Sequence, residues 1–472
     1  MRRAMKSGYL RAAVMAAGMA LAAAAPKPGQ ADNLADALIG AYNTSGLLEQ
    51  NRALLRAADE DVAIAVAALR PVINWTVSAS KTWTESRTGV IFRHVNTPNF
   101  FTGITLDQLI YDGGASVLGK QAAQETVLAT RQSLVAVEQQ ILFRAVGAYL
   151  NVLLTTENVT LRENNLRVLG EEQRAAQDRF DVGEVTRTDV ALAQSRVANA
   201  RAGLAAARGD LVRAQAEYLT AVGNPPGTLA GQPKLPAPPA SVEAARDFAL
   251  RNHPSIKAAQ HQVSAAELVV LRTSKALGPT VSLRAEVGVT ENMKVDDYNH
   301  TASVSLGLRQ NIYQGGALAA SLRRSMATRD SARANLLTVK DQIIQETSNA
   351  YARLQVARAS LVATQEQVRA ARVAFEGIRE EATLGARTTL DVLSAEQELL
   401  DALTSRISAQ AEQSLAAYQL LVAQGLLTAE RLGLAVQIYD PTLYYNLVKD
   451  APAAVSKRGR DLDRVMKALG KK

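Results

Sequence analysis

The sequence predicts an α+β fold that is mainly α, internally duplicated, and supplied with two pairs of β-strands. Aromatic residues make up only 4% of the 472 residues, and Ala, Gln, Leu, Val and Arg fill long runs without glycine or proline, which is typical of long helices and coiled coils. Short segments in which apolar and polar residues alternate separate these runs, as expected of strands. The whole plan occurs twice along the chain.

The duplication is visible as an ordered series of matching motifs. Ile-Tyr-Asp-Gly-Gly at 110–114 corresponds to Ile-Tyr-Gln-Gly-Gly at 312–316, and Ala-Tyr at 148–149 corresponds to Ala-Tyr at 350–351. Both pairs are 202 residues apart. A period of this length indicates a duplicated domain rather than a solenoid of short repeats.

The first 31 residues are predicted to be a secretory signal peptide. Basic residues precede an apolar segment at 12–25 that is too short to span a bilayer as a helix. Small residues at 29–31 suit a cleavage site, so we expect the mature chain to begin near Asp32. The alternative interpretation is a buried apolar helix at the N-terminus.

Each copy is predicted to contain a helix, two strands, a very long helix and a shorter helix. The first copy is residues 32–224, with a helix at 33–70, strands at about 72–86 and 100–111, a long helix at 115–181 and a helix at 187–223. The second copy is residues 241–438, with a helix at 241–277, strands at about 280–291 and 301–313, a long helix at 317–383 and a helix at 388–432. A Pro-rich connector at 225–240 joins the copies, and a partly disordered tail is predicted at 439–472.

The strands have one apolar and one polar face. Ile73, Trp75 and Val77 alternate with polar residues in the first pair, as Val304 and Leu306 do in the second. In a bilayer every backbone group must be paired, so four strands with two open edges require partner chains to close a barrel. Three chains would give twelve strands, although the strands alone do not fix the number. A soluble β-sandwich attached to coiled coils is the alternative.

The two long helices require partners along their length. Each predicted helix would be about 100 Å long, and apolar residues recur at sevens in both, first at 134, 141 and 148 and again at 336, 343 and 350. This spacing favours coiled-coil packing.

Charge and cysteine content exclude several classes of protein. Of the net charge of +8, residues 1–31 carry +5 and residues 449–472 another +5, which leaves the body slightly negative. A nucleic-acid-binding face is therefore not supported, and the basic tail is interpreted as a solvated, mobile end. The chain has no cysteine, so it has neither disulfides nor a lipid-anchoring cysteine.

The duplicated strand-to-helix motifs at 107–114 and 309–316 resemble those of the TolC family of outer-membrane efflux and secretion channels, and the resemblance covers about residues 32–440. It implies a homotrimer with a twelve-stranded β-barrel in outer-membrane lipid, an α-helical coiled-coil barrel across the periplasm, and an equatorial belt. The implied partners are a periplasmic adaptor (membrane fusion) protein and an inner-membrane ABC or RND transporter. The segment 439–445 and the missing lipid anchor are more similar to the type I secretion branch.

The turns that follow the long helices are the candidate site. In the first turn Gly183 precedes Thr186-x-x-Asp189, and in the second Gly385 precedes Thr388-x-x-Asp391. Glycine suits the end of a helix, and the Thr-x-x-Asp pairs resemble capping boxes at the start of the next. Helix capping alone explains these residues without a function.

The resemblance implies a gate at these turns. By position it makes Arg387, Thr188 and Asp189 the side chains that hold the aperture closed, and Asp391 a ring of an acidic cation filter. Ser394 replaces the second filter acid and Ala382 replaces a gate tyrosine, which predicts a single acidic ring and a looser closed state. The contact points for the adaptor would be Val182, Gly183, Leu384 and Gly385.

No catalytic, metal or cofactor site is predicted. The four histidines have no neighbouring ligands in the sequence, and neither a phosphate-binding loop nor a nucleophile elbow is present. The sequence thus predicts a passive exit channel for a periplasm-spanning pump, in type I protein secretion, drug efflux or both. A periplasmic adaptor and a coiled-coil surface or structural protein are the alternatives.

Overall fold

The computed structural model describes residues 32–453 and 456–468, so the predicted signal peptide lies outside the described residues. The first copy contains α1 (Leu34–Thr44), α2 (Gly46–Ala67), β1 (Val72–Thr88), β2 (Ile91–Tyr111), α3 (Ala115–Asp181) and α4 (Arg187–Val222). The second contains α5 (Val242–Asn252), α6 (Pro254–Lys275), β3 (Thr280–Asn292), β4 (Asp297–Arg309), α7 (Ala317–Thr383) and α8 (Thr389–Ala423). Two helices follow, α9 (Pro441–Val448) and α10 (Lys457–Ala468).

The long helices α3 and α7 have 67 residues each but different surroundings. Helix α3 packs against α2, α4, α6 and α8, so both copies surround it. Helix α7 packs against α5, α6 and α8, and most of its side chains are exposed. A coiled-coil helix of this length therefore has an uncovered surface in the single chain.

The largest apolar cluster lies where the two copies meet the connector. Tyr149 of α3 is 1% exposed, and its hydroxyl donates a hydrogen bond of 2.9 Å to the Gly231 carbonyl in the connector. Tyr218 and Tyr418, from α4 and α8, pack in the same cluster. The connector also pairs with Asp32, whose N–H donates to the Thr228 carbonyl at 2.9 Å. These contacts fix the connector against the middle of the helices.

The four strands form one antiparallel sheet in the order β1-β2-β3-β4. The register aligns Trp75, Ile104, Val287 and Ala302 in one row across the sheet. Because side chains alternate between faces, the rows on either side belong to the other face, and they contain only polar residues and glycine. The apolar face is exposed in the single chain, and Val304 is 77% exposed.

The first hairpin is longer than the sequence suggested. The predicted strands at 72–86 and 100–111 extend to Thr88 and back to Ile91, and a two-residue turn at Gly89 and Val90 joins them. Gly89 has φ +65°, which suits the first central position of such a turn. The segment between the two predicted strands is therefore paired except for this turn, and even Pro98 pairs with Lys81 inside the strand. Phe100 therefore lies inside β2 and not at its end.

The single helices predicted at 33–70 and 241–277 are each divided in two, at Ser45 and at His253.

Three boundaries of other elements also differ from the prediction. Strand β4 ends at Arg309 and not at 313, because β3 begins at Thr280, the partner of Arg309. It also begins at Asp297 rather than 301, since pairing continues to Asn292. Helix α8 ends at Ala423 and not at 432, because Gly425 adopts φ +75° and the Leu426 N–H bonds back to the Leu421 carbonyl.

The tail, predicted to be partly disordered, contains α9 and α10. Val448 is fully buried, and α9 packs along α2. The Tyr444 hydroxyl lies 2.6 Å from Glu60 Oε1 on α2. Tyr444 and Val448, one turn apart on α9, are thus buried where α9 packs against α2. The sequence of the tail alone does not indicate this contact. None of the helices within residues 32–453 and 456–468 is long and apolar enough to cross a membrane.

Candidate functional site

The two turns predicted as the site lie at the ends of the long helices away from the sheet. Each has the same backbone geometry. Gly183 adopts φ +81° and Gly385 φ +79°, in the left-handed region that favours glycine. The Glu184 N–H bonds to the Arg179 carbonyl at 2.8 Å, and the Ala386 N–H to the Glu381 carbonyl at 2.9 Å. Both long helices therefore end with a Schellman-type turn.

The threonine and aspartate of each turn cap the helix that follows. Asp189 Oδ2 accepts hydrogen bonds from the N–H and the hydroxyl of Thr186, at 2.9 and 2.7 Å. Asp391 Oδ2 accepts the same pair from Thr388, at 3.0 and 2.8 Å. These bonds hold the pKa of both carboxyl groups below the usual range. The capping interpretation is therefore confirmed for both turns.

Arg387 forms its ion pair within its own turn. Its Nε lies 2.7 Å from Glu381 Oε2, and this bond raises the pKa of the guanidinium. Among the described contacts Arg387 has none with Thr188 or Asp189, the partners that the resemblance implies. The chain on its own does not bring together the three residues that the resemblance assigns to a gate.

A cleft of about 860 Å³ nevertheless joins the two turns. Asp189 and Arg387 both line it, as do Leu384 and Gly385. Ala382, where the resemblance implies a tyrosine, also lines the cleft and is buried among Phe375 and other apolar side chains.

The tips of the turns are exposed. Val182 is 72% exposed and Leu384 is 83% exposed. A Cβ atom added to Gly183 or Gly385 would meet nothing within 4 Å. Two apolar side chains beside open backbone form a surface suited to contact with another protein.

A buried polar cluster near these turns was not predicted from the sequence. The Asn165 Nδ2 donates a hydrogen bond of 2.9 Å to Glu396 Oε1, joining α3 to α8. The Arg379 Nε lies 3.3 Å from Glu172 Oε1, joining α7 to α3. Burial raises the pKa of Glu396, and the nearby charge of Glu172 raises it further. The cluster ties the two helical hairpins together beside the site.

A heptad of polar residues on α3 was the available signal for this cluster. Asn151, Asn158, Asn165 and Glu172 follow one another at intervals of seven. Polar residues repeated at this interval lie along one seam of a coiled coil, where they specify pairing.

Replacing Glu396 with alanine is expected to lower the free energy of unfolding by about 1–3 kcal/mol, because the buried Asn165 amide loses its acceptor. Glu396→Gln retains an acceptor and removes a charge that burial disfavours, so it should be neutral or stabilising at pH 7.5. The stability difference between Glu396→Gln and the wild-type protein should become smaller as the pH falls and the wild-type carboxyl group becomes protonated. Thermal unfolding followed by circular dichroism in detergent measures both. Equal destabilisation by Glu398→Ala, at an exposed position on α8, would contradict the role of Glu396.

Comparisons with known proteins support the features described above. The family model for outer membrane efflux proteins matches residues 41–224 and 245–426, which are the two copies. The chain belongs to the outer membrane efflux protein family. The match confirms the resemblance to TolC-family channels, and a member of this family is an outer-membrane channel protein rather than an enzyme or an adaptor.

Relatives of this chain are named for efflux and for protease secretion. The outer membrane efflux protein BepC of Brucella suis is 37% identical over 421 residues, covering 89% of this chain and 91% of BepC. The alkaline protease secretion protein AprF of Pseudomonas aeruginosa is 25% identical, covering 72% of this chain and 73% of AprF. The outer membrane channel CmeC of Campylobacter jejuni has the same fold, with a TM-score of 0.75 at 16% identity, covering 89% of this chain and 90% of CmeC.

Proposed function

We propose that three copies of this chain close one twelve-stranded barrel and form a passive exit channel from the periplasm through the outer membrane. The observation that carries the proposal is the four-stranded sheet, whose outer strands β1 and β4 each have one unpaired edge. Because lipid offers no hydrogen bonds, such edges must be paired by neighbouring copies. The exposed apolar face that contains Trp75 and Val304 would contact lipid.

The long helices would continue this channel as a coiled-coil barrel across the periplasm. The uncovered surface of α7 supports this arrangement, since a coiled-coil helix of 67 residues requires partners along its length. Neighbouring copies would supply them.

The exposed tips would contact a periplasmic adaptor, which would connect the channel to an energy-consuming ABC or RND transporter in the inner membrane. Val182, Gly183, Leu384 and Gly385 are the proposed contact points, because they combine apolar exposure with accessible backbone. The substrates would be exported polypeptides, small molecules or both, consistent with relatives named for efflux and for protease secretion.

The gate would form between copies rather than within one. Arg387 is 49% exposed and its described ion pair lies within its own turn, so in a trimer its guanidinium would be accessible to Thr188 or Asp189 of a neighbouring copy. Threefold symmetry would turn Asp391 into a ring of three carboxylates. Because Ser394 lies one turn further along α8, this ring would be the single acidic ring of the aperture.

Mass measurement of the detergent-solubilised protein, with single-channel recording on the same sample, tests the proposed function. A particle of three chains that conducts ions in a planar bilayer is the expected result. A monomer without conductance would overturn the proposal.

The Arg387→Ala substitution is expected to raise the conductance of the closed channel at least about threefold, because it would remove the proposed charge-assisted bonds to Thr188 and Asp189 of a neighbouring copy. Single-channel recording before and after substitution measures the change. Arg372→Ala is the control, since Arg372 is an exposed arginine on α7 for which no ion pair is described. An unchanged closed-state conductance in Arg387→Ala would remove Arg387 from the gate.

A further inference from the structure

The C-terminal segment, residues 439–451, runs beside α1 and α2 towards the sheet. The Tyr439 N–H donates to the Tyr42 hydroxyl at 3.3 Å, near the N-terminal end of this path. Further along, Tyr444 bonds to Glu60 at 2.6 Å. The Ala451 carbonyl then accepts a bond of 2.6 Å from Arg70. The partners advance in the same order as the segment, so the segment runs parallel to α2.

This path ends at the base of the sheet. Arg70 is two residues before Val72, where β1 begins. Tyr111 ends β2 and Tyr313 follows the end of β4, both at this base, and they are 53% and 83% exposed. Exposed aromatic side chains at the ends of strands are typical of the border between lipid and water.

Helix α10 begins at this level. The Arg458 Nη1 lies 2.7 Å from Asp450 Oδ2, so the first turn of α10 is tied to the residue that precedes Ala451. The first turn of α10 therefore lies near Arg70, at the base of the sheet.

A basic stripe runs along α10. Arg460, Arg464 and Lys467 are spaced at i, i+4 and i+7, on one face of the helix, and all three are exposed. Arg464 has a partner within the helix, Asp461 at 3.1 Å, but Arg460 and Lys467 occur in none of the ion pairs of the described residues. Leu462, Val465 and Met466 lie on the opposite side. A basic face at a lipid border matches anionic headgroups in charge.

We propose that α10 binds the anionic phosphate headgroups of phospholipids in the periplasmic leaflet of the outer membrane, through Arg460, Arg464 and Lys467. The proposal rests on the proposed function, in which the sheet crosses this membrane and the helices lie on its periplasmic side. The contact would fix the depth and tilt of the channel at its periplasmic border, beyond what the lipid-facing strands provide. Each basic residue contributes about a fivefold factor to attraction at an anionic surface.

The absence of cysteine makes the test specific, because Val465→Cys can carry the only fluorophore on the full-length chain. The labelled protein is placed in nanodiscs that contain a headgroup-nitroxide lipid, either in phosphatidylcholine alone or with phosphatidylglycerol as about a third of the lipid. The expected result is about threefold stronger quenching with phosphatidylglycerol, which falls in high salt. The triple variant Arg460→Gln, Arg464→Gln, Lys467→Gln should return to the level in phosphatidylcholine.

A charge-matched variant on α4, Arg187→Gln, Arg201→Gln, Arg208→Gln, is the control and should retain the quenching. Equal quenching in both lipid mixtures, or no effect of the α10 substitutions, would overturn the proposal. The proposal would also be overturned if the wild-type protein showed no lipid-dependent quenching but pelleted with isolated peptidoglycan, and the α10 variant did not pellet. The basic stripe would then be assigned to cell-wall binding. Single-channel recording on the same proteins distinguishes failure of this inference from failure of the proposed function. Channels that conduct but show no lipid-dependent quenching contradict only this inference. Absence of conductance contradicts the proposed function.

Discussion

The Val304→Arg substitution is expected to prevent stable insertion of the channel and to lower the amount of protein in the outer-membrane fraction by more than about tenfold. Val304 lies near the middle of β4, on the apolar face of the sheet, and is 77% exposed in the single chain. An arginine at the lipid-facing middle of a membrane strand costs about 2–4 kcal/mol. A trimer would carry this cost three times. Separation of inner and outer membranes, followed by immunodetection, measures the result.

The adjacent residue supplies the control for this prediction. Ser303 lies on the opposite face of β4 and pairs with Glu286 across the sheet. In Ser303→Arg the new guanidinium would face the water-filled lumen beside a carboxylate, so insertion should be close to that of the wild-type protein. If Ser303→Arg were excluded from the membrane and Val304→Arg were not, the faces of the sheet would be assigned the wrong way round.

The ends of the long helices could be predicted because local sequence determines them. The Gly-Gly pairs at 113–114 and 315–316 precede α3 and α7, and Gly183 and Gly385 follow them. Glycine adopts positive φ at little cost, and a capping box follows each of the two turn glycines, so these helix ends are specified within a few residues. The capping boxes of Asp189 and Asp391 could be predicted for the same reason, since each bond spans only three residues.

Features that depend on distant partners could not be predicted in the same way. Residues 87–99 were left outside the predicted strands, but pairing between β1 and β2 continues through Pro98. Glu396 carries no local sign that Asn165, 231 residues earlier, is its partner. Arg387 was assigned to distant gate residues by resemblance, whereas in one chain the nearest carboxylate belongs to Glu381. Side-chain pairing between elements thus requires the tertiary structure even where the elements themselves are predictable.

The buried carboxyl group of Asp59, beneath the C-terminal segment, is one such feature. Asp59 of α2 is fully buried, and neither of its oxygens has a hydrogen-bond partner among the described residues. Burial raises the pKa of Asp59 from 3.8 to about 6, although the nearby Arg131 acts in the opposite direction. The guanidinium of Arg131 lies 5.1 Å from the ring centre of Tyr445 in α9. The ionised carboxylate is therefore expected to weaken the region where the C-terminal segment packs.

The Asp59→Asn substitution is consequently expected to stabilise the protein at pH 7.5. Because the folded-state pKa is raised from 3.8 to about 6, ionisation costs the folded state about 3 kcal/mol above pH 6. This cost disappears as the pH falls from 6 to 4, so the wild-type protein should approach the stability of the variant at pH 5. Amide hydrogen exchange of residues 439–451, compared between the two proteins at each pH, measures the difference.

Asp61→Asn provides the control on the same helix, because Asp61 is exposed. It removes the same charge without relieving a buried carboxylate, so protection of the segment should not change. Greater protection at pH 7.5 in Asp59→Asn alone would show that burial, and not net charge, weakens the attachment of the C-terminal segment to α2. Equal protection in both variants and the wild-type protein at pH 7.5 would mean that Asp59 is already neutral or solvated in the trimer. In that case the attachment of the segment would depend on Tyr444, Arg70 and the apolar contacts of α9, and acid would not strengthen it.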